Sequence, residues 1–375
     1  MRTPILLPAA ALLLAAADHH AARIEWDPAT RVLIQRNAVY GRMARLPDQN
    51  ILAVYERAAR VYTRLSRDDG RTWEDEREVA RFEFGTAANP EALVLANGWV
   101  LVPYNERPND RVHPYAIRLK ISRDNGETWS ESRLIYEAGT NSGAGCWEPI
   151  LLELPWGELH LYFANEKPYP DTTEQEITLM RSFDNGETWG GPERVSFRAG
   201  RRDGMPVPVF LHDGKGIAMA IEDNGLAGAF KPVIVHTPVE DNWQSGAVTG
   251  DSERRWSALE TPLDPAFYGG APYLRQFPTG ETVLSFQSGE GRDRGHTLNF
   301  SRMAVYIGDS GARNFTNRSF PFDVPEDASG LWNSLFIKDA DTVTAVSGTV
   351  VDGVRGLWAI DGRLVYPPSP PKEPQ

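Results

Sequence analysis

The sequence contains a single cysteine, Cys146, among 375 residues, so no disulfide can form within the chain. Acidic residues outnumber basic ones and give a formal net charge of −12, which argues against nucleic acid or anionic membrane as a partner. The seven histidines show no metal-ligand spacing, and HExxH and CxxC motifs are missing. We therefore expect no catalytic metal and no cofactor. Helix-type periodicity is nearly absent, which leaves an all-β chain as the prediction.

Long apolar runs are absent beyond the first residues. Residues 1–17 combine Arg2, a short apolar run and small residues near the end, the pattern of a secretory signal peptide rather than of a membrane span. Residues 367–375 form a proline-rich tail. We thus expect one domain over residues 18–366, in a soluble monomer that is secreted or periplasmic.

Three copies of the motif S-x-D-x-G-x-T-W are present, beginning at Ser66, Ser122 and Ser182. Their Asp-Gly and Asn-Gly pairs supply the positive φ angles of a tight hairpin turn. The first Asp of each motif can accept hydrogen bonds from the amides of the turn, and the Trp can pack beneath it. A repeated hairpin predicts a repeated β module, and we assign the motif to turns rather than to chemistry.

A longer repeat contains these hairpins. Apolar strands followed by a turn and a second apolar strand begin near Tyr40, Asn89, Trp147, Gly204, Gly270 and Trp332. Degenerate hairpins are expected near Asp241, Asp309 and Asp361. The pattern predicts a six-bladed β-propeller whose last blade is completed by the segment between Ile24 and Ile34.

In a propeller, the start of each first strand and the end of each second strand surround the same mouth. Carboxylates occupy these places at Glu56, Glu91, Glu106, Glu148, Glu166, Asp203, Glu222 and Glu290, with Arg42, Arg57, Arg107 and Arg202 among them. Glycoside hydrolysis needs two carboxyl groups, one protonated and one ionised, and crowding separates their pKa values. The mouth is therefore a candidate glycosidase site.

Within this ring, Glu148 and Glu222 are the candidate catalytic pair. Glu148 lies between Trp147 and Pro149, and Glu222 ends a second strand one blade later; Glu166 is a close competitor. Candidate substrate-binding residues are Arg42, Glu91, Glu106, Trp147, Glu166, Arg202, Asp203, Tyr268 and Trp332. Long loops after Gly139, Pro168 and Asn242 suggest a walled cavity and attack at chain ends.

The repeated motif resembles the Asp-box, or BNR repeat, of the sialidase superfamily. The segments WEP at Trp147 to Pro149 and AIED at Ala220 to Asp223 resemble most closely glycoside hydrolase family 93, the exo-α-1,5-L-arabinanases. This resemblance implies a secreted propeller that releases arabinobiose from linear arabinan with retention of configuration. It implies Glu222 as the nucleophile and Glu148 as the acid/base.

Three alternatives stay open. An exo-α-sialidase needs an arginine triad, a Tyr–Glu nucleophile couple, an Asp acid and a Phe/Tyr-Arg-Ile-Pro opening, where this chain reads YGRMARLP from Tyr40. A lyase for an acidic polysaccharide would use a His or Tyr base, for which His113, His160 and His296 are candidates. A pure binding module would present aromatic and polar residues at the mouth without a paired acid and base.

Overall fold

The structure is a computed structural model that describes residues 22–74, 76–294 and 297–367. The predicted signal peptide, and the predicted tail apart from Pro367, lie outside the described residues. The described chain contains 27 β-strands in six sheets, together with three 3-10 helices at Pro28–Thr30, Ser142–Ala144 and Leu298–Phe300. None of the helices in this part of the chain is long and apolar enough to cross a membrane. The prediction of an all-β, six-bladed propeller is confirmed.

Each sheet is one blade. The N-terminal strands are β1 (Arg23–Trp26) and β2 (Val32–Arg36). Blade 1 comprises β3 (Val39–Arg45), β4 (Ile51–Arg57), β5 (Arg60–Ser66) and β6 (Arg77–Arg81). Blade 2 comprises β7 (Gly85–Ala88), β8 (Leu93–Val94), β9 (Val100–Pro108), β10 (Ala116–Ser122) and β11 (Arg133–Glu137). Blade 3 comprises β12 (Cys146–Glu153), β13 (Leu159–Asn165), β14 (Glu176–Ser182) and β15 (Glu193–Phe197).

The remaining blades follow the same plan. Blade 4 comprises β16 (Asp203–Phe210), β17 (Gly216–Ala227), β18 (Ala229–Pro238) and, after the short β19 (Val248–Thr249) that pairs with β15, β20 (Arg255–Ser257). Blade 5 comprises β21 (Gly269–Gln276), β22 (Thr282–Ser288), β23 (Arg302–Gly308) and β24 (Thr316–Ser319). Blade 6 comprises β25 (Leu331–Ile337), β26 (Thr342–Val351) and β27 (Val354–Val365). Middle strands such as β13 and β14 are buried along their whole length, because neighbouring blades cover both of their faces.

The N-terminal segment closes the ring as predicted. Both β1 and β2 pair antiparallel with β27, and the register joins Ile24 to Leu364 and Val32 to Ala359. The fourth strand of blade 6 therefore comes from the beginning of the described chain. This arrangement leaves blade 6 without a hairpin between third and fourth strands, so the predicted hairpin at Asp361 is wrong. Asp361 lies inside β27, where its carboxylate binds Lys338 and Thr344.

The three S-x-D-x-G-x-T-W motifs form the predicted hairpins, all at the end of the propeller opposite the mouth. In blade 2 the amide of Gly126 donates to Ser122 Oγ at 2.8 Å, and the amide of Thr128 donates to Asp124 Oδ1 at 2.9 Å. Asn125 and Gly126 have φ angles of 58° and 83°, as the turn requires. Asp241 and Asp309 accept amide hydrogen bonds in the same way in their hairpins.

Every inner strand is distorted at its mouth end. In each blade the residue at this end of the inner strand has a φ between 46° and 56°; these residues are Tyr40, Asn89, Glu148, Met205, Ala271 and Trp332. In five blades the strand register shifts at this residue. In blade 2 the distortion divides the inner strand into β7 and β8, so the prediction of one continuous strand from Asn89 is wrong. The same positive-φ backbone distortion is therefore present in all six inner strands around the mouth.

Candidate active site

A cavity of about 570 Å³ opens at the mouth and is lined by half of the charged groups expected there. Its charged lining residues are Glu56, Glu148, Glu166, Glu174, Glu222, Arg107 and Arg202. Trp147 and Trp332 also line it, as the sequence predicted. Five carboxyl groups face two guanidinium groups, so the wall is acidic overall.

Glu148 lies on the bulge of β12. Its backbone N–H donates to Asn105 Oδ1 at 2.9 Å, and its side chain is 18% exposed. Burial, with a smaller contribution from the charges of Glu222 and Glu166, raises the pKa of Glu148 to about 8 against the opposing charge of Arg107. The nearest guanidinium nitrogen, Arg107 Nη2, is 4.0 Å from Glu148 Oε1. Glu148 is therefore a carboxyl group that keeps its proton near neutral pH.

Glu222 has a different setting, within β17 and five residues before that strand ends at Ala227. Its Oε2 accepts a hydrogen bond from the N–H of Ala271 at 2.7 Å. Burial raises the pKa of Glu222 to about 7, while this amide and the charge of Arg202 lower it. A Cβ at Gly270 would clash with both Glu222 Oε2 and the Tyr268 hydroxyl, so these two oxygens approach the same glycine. Glu222 is thus the better anion of the two glutamates.

The bond from Ala271 to Glu222 belongs to a repeated contact, which we call the interblade clasp. In a clasp, the backbone N–H of a bulge residue donates to a side chain at the end of the second strand of the preceding blade. The four clasps are Asn89 to Glu56 at 3.4 Å, Glu148 to Asn105 at 2.9 Å, Ala271 to Glu222 at 2.7 Å and Trp332 to Gln287 at 2.6 Å. In one clasp the carboxylate of Glu222 is the acceptor and is thereby held in position. In another the backbone N–H of Glu148 is the donor, which fixes the local backbone of Glu148.

Glu166, the competitor to Glu148, is neutralised by its neighbours. Its Oε1 accepts from Arg202 Nη2, and also from Gln175 Nε2 at 3.2 Å. Its other oxygen is buried and has no hydrogen-bond partner among the described residues. Glu166 is therefore committed to Arg202 and Gln175, whereas the guanidinium nearest to Glu148 is 4.0 Å away.

Arg42 and Glu91 do not reach the main cavity, contrary to the prediction that they contact substrate. Both are buried, and Arg42 Nε lies 3.3 Å from Glu91 Oε2. The Arg42 guanidinium also lies over the rings of Tyr40 and Tyr273, at 4.0 and 4.8 Å. These contacts make the pair part of the packing beneath the cavity.

Glu106 and Asp203 are also placed elsewhere than predicted. Glu106 is ion-paired with Arg118 at 2.9 Å. Asp203 is fully buried and shares Arg255 with Asp223, with Arg255 Nη1 2.9 Å from Asp203 Oδ2. These carboxylates are charge-paired inside blades 2 and 4, away from the cavity wall. The predicted Tyr268 is likewise buried behind the wall, next to Glu222.

Two loops that line the cavity had no residue-level prediction. Ser142 and Gly143 come from the loop after Gly139, and residues 172–175 come from the loop after Pro168. Their length was the only signal in the sequence. The third predicted loop does not reach the cavity, because Trp243 is buried against Tyr162 at the other end of blade 3.

The histidines considered for a lyase do not meet at the cavity. His113 lies on the rim and is bonded to Asp110, whereas His160 is buried between Glu158 and Tyr162. His296 lies outside the described residues. Within the described ranges, no group of three or more His, Cys, Asp or Glu side chains is suited to hold a metal ion.

Comparison with known proteins supports the fold. Residues 113–266 match the model of the BNR repeat-like domain. A protein of unknown function from Dyadobacter fermentans superimposes with a TM-score of 0.69 and 13% identity, covering 92% of this chain and 100% of that one. The α-L-arabinanase of Penicillium chrysogenum, complexed with arabinobiose, has a TM-score of 0.65 and 19% identity, covering 90% and 98%.

A third structure, the family 93 α-L-arabinofuranosidase of Fusarium graminearum with arabinobiose, has a TM-score of 0.65 and 17% identity, covering 92% and 98%. No curated protein sequence matches the chain significantly. The chain is therefore a six-bladed β-propeller that contains a BNR repeat-like domain and is similar in fold to the arabinan-degrading enzymes of glycoside hydrolase family 93.

Proposed function

We propose that this protein is a retaining glycoside hydrolase that releases arabinobiose from the ends of linear α-1,5-L-arabinan. The observation that carries the proposal is the pairing of Glu148 and Glu222 in one cavity with different surroundings. Glu148 is partly buried and has a strongly raised pKa, whereas Glu222 is held by a backbone amide that favours its ionised form. Glycoside hydrolysis needs this division between an acid and an anion.

In the proposed mechanism, the Glu222 carboxylate attacks the anomeric carbon of the sugar. Glu148 donates its proton to the departing glycosidic oxygen, and the bond between that oxygen and the anomeric carbon breaks. Water then attacks the glycosyl ester on Glu222, and the ionised Glu148 accepts the proton of this water. Both glutamates return to their starting protonation states, so a turnover consumes only substrate and water.

The cavity charge favours a neutral sugar. Arg202 is ion-paired with Glu166, whereas Arg107 donates to the neutral Asn89 side chain and lies 4.0 Å from Glu148, so the cavity wall offers one arginine, and not a triad, to a substrate carboxylate. Arg42, the first-blade arginine that a sialidase would use, is buried against Glu91. These contacts disfavour both a sialoside and a uronate polysaccharide, since a carboxylated substrate would face five wall carboxyl groups.

The arabinan assignment draws on the two fold relatives that hold arabinobiose. Attack at chain ends is supported by the loops at Ser142 and Thr172, which contribute to the cavity wall. The signal-peptide pattern in residues 1–17 supports export before action. Detection of the protein in the medium or periplasm, shortened at its N-terminus, would test that part of the proposal.

The deciding experiment is product analysis on linear α-1,5-arabinan and on an aryl sialoside, with the wild type, Glu148→Gln and Glu222→Gln. Arabinobiose as the first product, lost in both variants, is expected. Glu56→Gln is the matched control, because Glu56 also lines the cavity and forms a clasp but has no role in the proposed chemistry. Release of sialic acid, or arabinan turnover by Glu148→Gln at the wild-type rate, would overturn the proposal.

Azide separates the roles of the two glutamates. With an activated aryl arabinoside, a small-residue variant at Glu148 should yield an arabinosyl azide of retained configuration, because Glu222 still forms the glycosyl ester. The corresponding variant at Glu222 should yield the inverted azide. The opposite pattern would exchange the two assignments.

A further inference from the structure

We propose that the stacked rings of Phe84 and His113, on the rim of blade 2, form a binding site for the part of the arabinan chain that extends out of the cavity. The site would take neutral furanose units by ring stacking, and it rests on the proposed function. We call these two residues the rim platform.

The rim platform presents an open aromatic face. The ring centroids of Phe84 and His113 are 3.6 Å apart and the ring planes differ by 11°, so one face of Phe84 is covered. Phe84 is nevertheless 44% exposed, and the neighbouring Val112 is 73% exposed. The exposure of Phe84 therefore comes mainly from its other face and edges. An exposed aromatic face is the surface on which the C–H groups of a sugar pack.

The rim platform is also held rigidly. Asp110 Oδ1 accepts from the amides of Val112 and His113 at 2.9 and 3.0 Å, and Asp110 Oδ2 lies 2.7 Å from His113 Nδ1. Phe82 meets both rings edge-on, with centroid distances of 5.8 Å to Phe84 and 6.3 Å to His113. A ring fixed in this way loses little entropy when a ligand packs against it.

The rim platform is continuous with the cavity. The amide of Asn109, the residue after β9, donates to the carbonyl of Phe84 at 2.9 Å, and Arg107, near the end of β9, lines the cavity. Gly85 pairs with Pro108 in the ribbon that joins the two places. From Phe84 to the cavity residue Asn89 the backbone spans roughly 16 Å at ~3.3 Å per residue, a distance on the scale of a few sugar units.

This placement suits an enzyme that acts on chain ends. The terminal sugars would occupy the cavity, and the remainder of the polymer must leave across the rim. The Trp147 ring within the cavity lies 4.9 Å from the ring of Tyr115, which extends the aromatic surface toward the blade 2 loops. A polymer would contact the rim platform, whereas an arabinobioside with a small leaving group would not reach it.

The experiment compares linear arabinan with an aryl arabinobioside for the wild type, Phe84→Ala and Phe84→Tyr. Phe84→Ala should raise KM for arabinan roughly 3- to 10-fold, the range of one aromatic stacking contact, and leave kcat and the aryl substrate unchanged. Phe84→Tyr should behave as the wild type. Phe183→Ala is the matched control, because Phe183 is 75% exposed but belongs to the hairpin of blade 3 at the opposite end.

An unchanged KM for arabinan in Phe84→Ala, or an equal rise in Phe183→Ala, would overturn the rim platform. Binding of arabinan by affinity electrophoresis separates this outcome from failure of the proposed function. If the wild type binds arabinan without cleaving it, and Phe84→Ala weakens binding, the platform stands and the hydrolase assignment fails. If the wild type does not bind arabinan, both fail.

Discussion

At the end opposite the mouth, blades 1, 2 and 3 repeat both the backbone and the side chains of one hairpin, whereas at the mouth the six blades repeat only the backbone. The Thr amide of the hairpin donates to the Asp carboxylate at 2.8, 2.9 and 2.8 Å in the three blades. The bulge φ angles at the mouth are equally uniform, yet the clasping side chains are Glu, Asn, Glu and Gln. The mouth, where the backbone is uniform and the side chains differ, is therefore the end that holds the candidate active site. The opposite end, where the whole motif is repeated, has a structural role.

The largest expected effect is a loss of stability on replacing Arg255, which pairs with two buried carboxylates and does not line the cavity. Arg255→Met should cost about 3–5 kcal/mol in the free energy of unfolding, because it leaves Asp203 and Asp223 buried without their shared cation. Denaturant unfolding measures this loss. Asp203→Asn should cost less and leave KM unchanged. A raised KM with unchanged stability in Asp203→Asn would restore Asp203 to the substrate-binding residues.

The second prediction concerns the clasp of blade 2. Asn105→Leu should lower kcat roughly 10²-fold, because the amide of Glu148 loses its acceptor and the carboxyl group shifts from its working position. Asn105→Asp keeps an acceptor but adds negative charge, so its rate should fall at a higher pH than that of the wild type. Gln287→Leu is the control, since it removes the clasp at Trp332 without touching either glutamate. Equal kinetic losses in Asn105→Leu and Gln287→Leu would show that the clasp is structural only.

The third prediction follows from the raised pKa values of Glu148 and Glu222, about 8 and about 7. The rate should decline below about pH 7, as Glu222 takes up a proton, and above about pH 8, as Glu148 loses one. Both folded-state values exceed the ordinary 4.5, so the folded protein holds protons that the unfolded chain has released. Stability should therefore fall as the pH rises from 4.5 toward 8.

Glu148→Gln tests this linkage without any assay of activity. At pH 9 the variant should melt at a higher temperature than the wild type, because it lacks a buried negative charge next to Glu222. The difference should shrink at pH 5, where Glu148 is protonated in the folded wild type. A melting difference that does not depend on pH would argue against the raised pKa.

The smallest expected effect is at the opposite end. Asp124→Ala should cost about 1–2 kcal/mol in stability, because the turn amide of Thr128 and its hydroxyl lose their acceptor. Asp184→Ala should behave alike, since Asp184 accepts the same two hydrogen bonds from Thr188. Kinetic constants should match the wild type in both, and thermal unfolding with steady-state assays measures the two properties. A specific loss of kcat would contradict the division between the two ends.

The hairpins, the order of the strands and the meeting of Glu148 with Glu222 were predictable, because each depends on a local pattern and on propeller topology. The burial of Asp203 was not, since its partner Arg255 lies 52 residues away in sequence and no local pattern pairs them. The bulge at Glu148 was equally hidden, because glutamate gives no hint of a positive φ. The hairpin predicted at Asp361 was wrong because the sequence there resembles a turn, but the fourth strand of blade 6 comes from β1 and β2 and no hairpin is needed.

Because β1 and β2 close the ring by pairing with β27, the cavity at the mouth is complete only after these distant strands have paired. Trp332 and Tyr40, on the inner strands of the neighbouring blades 6 and 1, both line the cavity, and the seam pairs Ile24 with Leu364 at the outer side of blade 6. Contacts so distant in sequence form late, since a long loop must close before they contribute. A chain interrupted before β27 would retain its hairpins and most of its blades but not a finished cavity. Activity should therefore appear only in the last step of folding, when the seam closes.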